Sequence, residues 1–151
     1  MSRPEALALQ RTLTRSYPDE VSVIQTYREQ HRKALEIAER LVAASDAAED
    51  AKATRRTLSE LAGALRVHLA MEDRSLYPAL AKHTDATIRG TATRFQKEMG
   101  GLSDALQDYS QRWTSTAIAG DWAGFRSETR AIVRALDERI RREERELYPL
   151  L

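Results

Sequence analysis

Apolar residues recur every three or four positions through four long stretches of this chain, a period typical of amphipathic α-helices. The stretches run from about Pro18 to Asp46, Asp50 to Ala79, Asp85 to Thr114 and Trp122 to Tyr148. Short polar connections separate them, and nothing between them signals a strand. The pattern predicts an all-α protein with an up-down-up-down four-helix bundle.

The chain length predicts a single domain. A chain of 151 residues can build one sizeable core but is too short for two ordinary domains. We expect a short N-terminal arm at residues 1–17, followed by the bundle at residues 18–151. Pro18, with the acidic Asp19 and Glu20 after it, suits a helix start. Gly100-Gly101 inside the third stretch indicates a close helix approach or a local irregularity.

Composition limits the kinds of partner and cofactor. The net charge of +1 argues against nucleic acid or an anionic membrane as a partner. The chain has no cysteine, so disulfides, thiolate metal sites and iron–sulfur clusters are excluded. Only His and carboxylate side chains remain as metal ligands. Because no run is apolar enough for a bilayer or a signal peptide, we expect a cytoplasmic protein.

Ionisable side chains interrupt the apolar stripes of all four predicted helices. They are His31, His68, Glu72, Glu98, Arg139 and Glu143. A buried His and Glu one helical turn apart are costly unless something occupies the space between them, and a metal ion is the usual occupant. Two imidazoles with two or three carboxylates suit iron, manganese or zinc. The candidate ligands are therefore the two histidines and the three glutamates of this set.

The chain also contains an internal repeat. When His68–Pro78 is set on Arg139–Pro149, Glu72 matches Glu143, and both segments end in Leu-Tyr-Pro. The same alignment of the two halves sets His31 on Glu98. The repeat predicts a duplicated helical hairpin, with the candidate ligands related by pseudo-symmetry.

These motifs resemble those of the hemerythrin-like, or hemerythrin HHE cation-binding, domains. The resemblance is carried by His31, by His68-xxx-Glu72 and by the twice-used Glu-xxx-Leu-Tyr-Pro, and it covers about Asp19 to Leu151. In that family, four histidines and two glutamates hold a non-haem di-iron centre. The resemblance implies that His31 and His68 are terminal ligands of one metal. It also implies that Glu72 and Glu143 are the bridging carboxylates.

The second half departs from the family pattern. Glu98 and Arg139 stand where the other two histidines are expected, and a guanidinium cannot ligate a metal. We expect a buried Glu98–Arg139 ion pair, with the Arg139 guanidinium taking the place of the second cation. The first half can then hold a single iron, zinc or manganese ion. A di-iron centre remains the other interpretation.

The resemblance implies binding of O2, NO or iron, as a carrier or a sensor. Two other functions remain open. One is a metal-dependent oxidoreductase acting on peroxide or NO, and the other is a metal-free structural or interaction bundle whose six ionisable residues form a buried polar network. The sequence leaves open whether the protein is an enzyme and which protein partner it has.

Several nearby residues have simpler expected roles. Tyr77 and Tyr148 are predicted to pack at the end of the bundle. Asp73 and Glu144, directly after the two repeat glutamates, are predicted to lie on a solvated face, and the alternative is that they join the site. His83, between the second and third helices, is predicted to be a surface residue.

Overall fold

The computed structural model describes the backbone from Arg3 to Leu151 and the side chains from Val23 onward. Within this range the chain is helical and contains no strand, which confirms the all-α prediction. The α-helices are α1 (Arg3–Ala47), α2 (Ala51–Met71), α3 (Tyr77–Leu80), α4 (Ala86–Met99), α5 (Leu102–Arg112), α6 (Ser115–Gly120) and α7 (Trp122–Arg142). Two π-helical turns, Glu72–Leu76 and Glu143–Leu147, follow α2 and α7, and a 3-10 turn, Tyr148–Leu150, ends the chain. None of the described helices is long and apolar enough to cross a membrane.

The helices differ from the predicted stretches at two places. The third stretch divides at Gly100-Gly101 into α4 and α5, at the position where an irregularity was predicted. Helix α1 extends back to Arg3, whereas the first helix was predicted from Pro18. The side chains of the predicted arm, residues 1–17, lie outside the described residues, so its separation from the bundle stays a prediction.

Aspartates define the starts of three helices. The carboxylate of Asp50 accepts the Ala53 N–H, that of Asp85 accepts two N–H groups of α4, and that of Asp121 accepts one N–H of α7. Each bond satisfies a donor that the first turn of a helix leaves unpaired. These caps fix where α2, α4 and α7 begin after the connections.

Neighbouring helices run antiparallel. Arg40 of α1 pairs with Glu60 of α2, whereas Gln30, which lies earlier in α1, contacts His68, which lies later in α2. The two helices therefore run in opposite directions. Contacts of α7 with α1 and with the α4–α5 segment show the same reversal.

The buried residues form two apolar clusters. The larger one lies among α1, α2, α5, α6 and α7 and includes Leu41, Leu65 and Phe125. The smaller one is rich in aromatic side chains and includes Tyr27, Tyr77, Phe95, Leu147 and Tyr148. His31 and Glu143 each lie within one helical turn of members of both clusters. His68 follows Leu65 of the larger cluster by one turn, and its ring centroid is 5.3 Å from that of Tyr27 in the smaller one.

We expect Phe125→Ala to lower the free energy of unfolding by about 3–5 kcal/mol, because the deletion leaves a cavity in a packed core. Phe125 is fully buried and its ring contacts those of Tyr109, Trp113 and Trp122. Urea denaturation measures the change. The control is Val67→Ala, at a side chain that is 55% exposed, with an expected change of about 0.5 kcal/mol or less. Equal losses in the two variants would contradict this description of the core.

Candidate metal centre

Four ionisable side chains meet inside the bundle. They are His31 from α1, His68 from α2, Glu72 from the first π turn and Glu143 from the second. One ligand atom from each lies within 4.8 Å of the others. The four residues are at most 2% exposed, so water does not solvate them freely. The structure thus brings together four of the five predicted ligand residues.

Three atoms of this cluster have no hydrogen-bond partner among the described residues. They are Nε2 of His68, Oε1 of Glu72 and Oε1 of Glu143. The first two touch each other directly, and His31 Nε2 lies 3.5 Å from the third. A buried polar atom without a partner costs about 1–3 kcal/mol. One cation bound by these nitrogen and oxygen atoms would satisfy all of them, so the residues fit a metal ion.

The outer nitrogen of each imidazole is held by an acceptor. His68 Nδ1 donates to Gln30 Oε1 at 2.6 Å, and His31 Nδ1 donates to Glu144 Oε1 at 3.3 Å. Because each acceptor requires a proton on Nδ1, the neutral imidazole carries its lone pair on Nε2. Both rings therefore direct the atom that can bind a metal toward the cluster.

Each glutamate of the cluster opens a π-helical turn, Glu72–Leu76 in the first repeat and Glu143–Leu147 in the second. The tyrosine N–H that closes each turn bonds to the glutamate carbonyl five residues back, and the proline that follows has no N–H to donate. In a regular α-helix, the tyrosine would lie about 140° around the axis from the glutamate. The wider turn reduces this angle and brings Tyr77 and Tyr148 inward.

The two tyrosines hold the glutamates crosswise. Tyr77 Oη donates to Glu143 Oε2 at 2.7 Å, and Tyr148 Oη donates to Glu72 Oε2 at 3.3 Å. Each repeat therefore positions the carboxylate of the other, and in both glutamates Oε1 is left facing the cluster. The tyrosines are buried at the end of the bundle as predicted, but their hydrogen bonds were not predicted from the sequence. The repeated Leu-Tyr-Pro was the available signal.

The pKa values follow from burial and from the close carboxylates. Burial opposes protonation of His31, but its close polar contacts with Glu143 and Glu72 and their electrostatic attraction outweigh it and raise its pKa to about 9. Burial, together with the adjacent Glu72, raises the pKa of Glu143 to about 8. Burial also disfavours the Glu72 carboxylate, yet its close polar contacts with Glu143 and the two histidines keep its pKa well below the usual range. At neutral pH the metal-free cluster therefore holds protons on His31 and Glu143.

Arg139 lies beside the cluster and is 1% exposed. Its Nη2 donates to Asp73 Oδ1 at 2.7 Å, and its Nη1 donates to Met99 O at 3.4 Å. Its Nε is 3.5 Å from Glu143 Oε2 without a hydrogen bond, so this contact is electrostatic. The guanidinium also lies over the Tyr77 ring, 5.5 Å from its centroid. Burial by itself would lower the pKa of Arg139, but the neighbouring carboxylates outweigh this effect and raise the pKa above its usual value. The side chain therefore stays charged.

The predicted Glu98–Arg139 ion pair was wrong. Glu98 is exposed, and its Oε2 accepts a hydrogen bond from Arg142 Nη2 at 2.6 Å. The inward stripe of α4 runs through Ile88 and Phe95, and Glu98 lies off this stripe. Glu98 is thus not among the residues that the structure gathers at the centre. Its predicted role as the partner of Arg139 belongs to Asp73.

Two residues predicted on a solvated face also belong to the site. Asp73 pairs with Arg139, and Glu144 contacts His31. Both side chains are partly exposed, by 25% and 33%. Each directly follows a repeat glutamate, and this position was the sequence signal that could have identified them. His83, by contrast, lies in the α3–α4 connection, where its Nδ1 accepts the Asp85 N–H at 3.0 Å.

The family described as the hemerythrin HHE cation binding domain matches residues 22–151, which is most of the chain. No curated protein and no solved structure matched the chain.

We expect the affinity of the cluster for Zn²⁺ to rise with pH, because binding displaces the protons of His31 and Glu143. The logarithm of the association constant should rise by up to about two per pH unit while both groups are protonated, and by less once they have lost their protons. Competition with a chelator of known pH dependence measures it. An affinity that is equal at pH 6.5 and pH 9 would contradict the proton positions.

Stability of the metal-free protein should change in the opposite direction. Because the pKa of His31 is raised from 6.5 to about 9, its contribution to stability is complete below pH 6.5 and is lost as the pH rises through 9. Urea denaturation of chelator-treated protein at pH 6.5 and pH 9 measures this loss. His31→Gln, which cannot titrate, should show a smaller loss over the same range.

Proposed function

We propose that this chain, a member of the hemerythrin HHE cation-binding domain family, binds a single divalent cation through His31, His68, Glu72 and Glu143. The observation that carries the proposal is the set of buried, partnerless atoms on three of these residues. Leaving them unsatisfied is costly, and a cation is the ligand that two imidazole nitrogens and two carboxylate oxygens bind together.

The position of Arg139 is evidence for one bound cation instead of two. Arg139 occupies the position in the second repeat that His68 occupies in the first, and its guanidinium is fixed beside Glu143. A guanidinium has no lone pair for a metal and repels a nearby cation. We therefore favour a mononuclear site over a di-iron centre. Iron is the first candidate because of the family, and zinc and manganese are alternatives because the same donors bind them.

The surroundings of the site favour a carrier or sensor over an enzyme. Bound iron would supply binding of O2 or NO and one-electron chemistry. The chain's own residues hold the ligand atoms in place, since tyrosine hydroxyls anchor the carboxylates and outer acceptors orient the imidazoles. Two surface grooves, of about 680 and 620 Å³, are lined by other residues than the four of the cluster. This separation of the two grooves from the four ligand residues is what favours a carrier or sensor over an enzyme with a substrate pocket at the metal.

We also propose the up-down-up-down four-helix arrangement for residues 18–151. The antiparallel contacts between α1 and α2, between α1 and α7, and between α7 and the α4–α5 segment support it. In this arrangement all four long segments surround the cluster, and each repeat contributes one glutamate.

Elemental analysis and calorimetry on protein purified without a histidine tag test the proposal. We expect about one ion per chain after reconstitution with Fe²⁺ or Zn²⁺. His68→Leu should weaken binding by more than about 100-fold, because losing a ligand exceeds the 10- to 100-fold cost of losing an outer partner. The matched control is His83→Leu, which should bind as the unaltered protein does. No bound ion, together with a melting temperature unchanged by chelator, would instead support a metal-free structural bundle.

Replacing Arg139 by an imidazole tests what limits the site to one ion. We expect Arg139→His to bind about two Fe²⁺ per chain, because the change removes a fixed cation and adds a ligand beside Glu143 and Asp73. Glu98→His should leave the count at one, since this exposed side chain points away from the centre. One ion per chain in both variants would contradict the role of Arg139 in excluding a second cation.

A further inference from the structure

We infer that the Arg139–Asp73 pair sets the charge selectivity of the site, with Arg139 favouring a divalent over a trivalent cation and Asp73 limiting that preference. The inference rests on the proposed single-cation function and adds the class of ion that the site selects. It follows from where the two charges lie and from how differently water reaches them.

The guanidinium is coupled to the site through Glu143. Arg139 Nε is 3.5 Å from Oε2 of this carboxylate, and the other oxygen, Oε1, faces the cluster. A positive charge on one oxygen weakens the carboxylate as a donor to an ion at the other. The weakening and the direct repulsion both grow with the charge of the ion. A trivalent ion therefore loses more affinity than a divalent ion.

The two members of the pair are screened unequally. Arg139 is 1% exposed, whereas the Asp73 side chain is 25% exposed, although the two are joined at 2.7 Å. Solvent reduces the field of the aspartate more than that of the guanidinium. The pair is neutral in formal charge, but the site experiences it as partly positive.

The position of the guanidinium is fixed, so its charge cannot move away when an ion binds. Hydrogen bonds to Asp73 and to the Met99 carbonyl hold two of its nitrogens, and the Tyr77 ring lies against it. The same tyrosine donates to Glu143. On the opposite side of the site, the partly exposed Glu144 contacts His31 and remains unchanged in every variant used below.

A double-mutant cycle with two redox-inert ions tests the inference. The affinities for Zn²⁺ and for Ga³⁺, supplied as its nitrilotriacetate complex, are measured for the unaltered protein, Arg139→Met, Asp73→Asn and the double variant. Arg139→Met should raise the ratio of Ga³⁺ to Zn²⁺ affinity by roughly ten- to hundredfold, because it removes a close, poorly screened positive charge. Asp73→Asn should lower the ratio by a smaller factor. The double variant should lie between the two.

The opposite signs separate electrostatics from structural damage. Damage to the site would weaken the binding of both ions in both variants. The inference instead requires the ratio of Ga³⁺ to Zn²⁺ affinity to rise in Arg139→Met and to fall in Asp73→Asn. Arg139→Lys, which keeps the charge, should have a ratio of Ga³⁺ to Zn²⁺ affinity close to that of the unaltered protein. With bound iron, each tenfold rise in the ratio of ferric to ferrous affinity should lower the reduction potential by about 59 mV.

Arg142→Met is the matched control. It removes the same charge from the end of α7, but Arg142 contacts Glu98 and Glu146 instead of Glu143. Its ratio should stay within about twofold of that of the unaltered protein, because solvent screens this more exposed position. Melting curves and ion counts verify that each variant is folded and holds one ion.

The possible failures are distinguishable. If the unaltered protein binds neither Zn²⁺ nor Ga³⁺, the single-cation function fails and the selectivity fails with it. If it binds an ion and Arg139→Met leaves the ratio unchanged, only the charge selectivity is overturned. Should Arg139→Met not fold, Asp73→Asn decides alone, and an unchanged or higher ratio in that variant would overturn the inference.

Discussion

The site depends on two carboxylates, Glu72 and Glu143, that are fully buried close to each other. Two negative charges cannot share such a space without compensation, because burial removes water and repulsion adds to the cost. The surrounding structure supplies that compensation on every side. Crossed tyrosine hydroxyls hold one oxygen of each, the imidazoles face the other, and Arg139 stands beside Glu143. Most polar contacts in this part of the bundle stabilise these two buried carboxylates.

The two repeats keep their symmetry where it anchors the carboxylates and lose it where it would add ligands. Both retain the glutamate, the π turn and the tyrosine that reaches across to the other repeat. The positions of His68 and Arg139 correspond, yet one offers a lone pair and the other a permanent positive charge. One half of the site thus suits a cation, and the other half already contains one. This difference is the basis of the single-cation centre that we propose inside a duplicated scaffold.

Much of the candidate site could be predicted from residue spacing. His31, His68, Glu72 and Glu143 occupy apolar stripes, and a helical period places them inward without knowledge of the neighbours. The prediction for Glu98 failed because this exposed residue lies beside the inward stripe of α4, in the last turn before the helix ends at Met99. Asp73 and Glu144 were predicted on a solvated face, and this prediction failed for the opposite reason. Partly exposed side chains beside a core position can reach buried partners, and periodicity alone does not show which do so.

The sequence by itself determined the all-helical fold, the repeat and most of the residues that face inward, because hydrophobic period and spacing act locally along each helix. The tertiary structure alone decided which charges meet. It paired Arg139 with Asp73 instead of Glu98, and it directed each tyrosine to the glutamate of the other repeat. These contacts join residues far apart in the chain, through wide turns that rotate side chains away from the regular helical period. Ion pairs and hydrogen bonds depend on ångström distances, and only the packing of whole helices sets those distances.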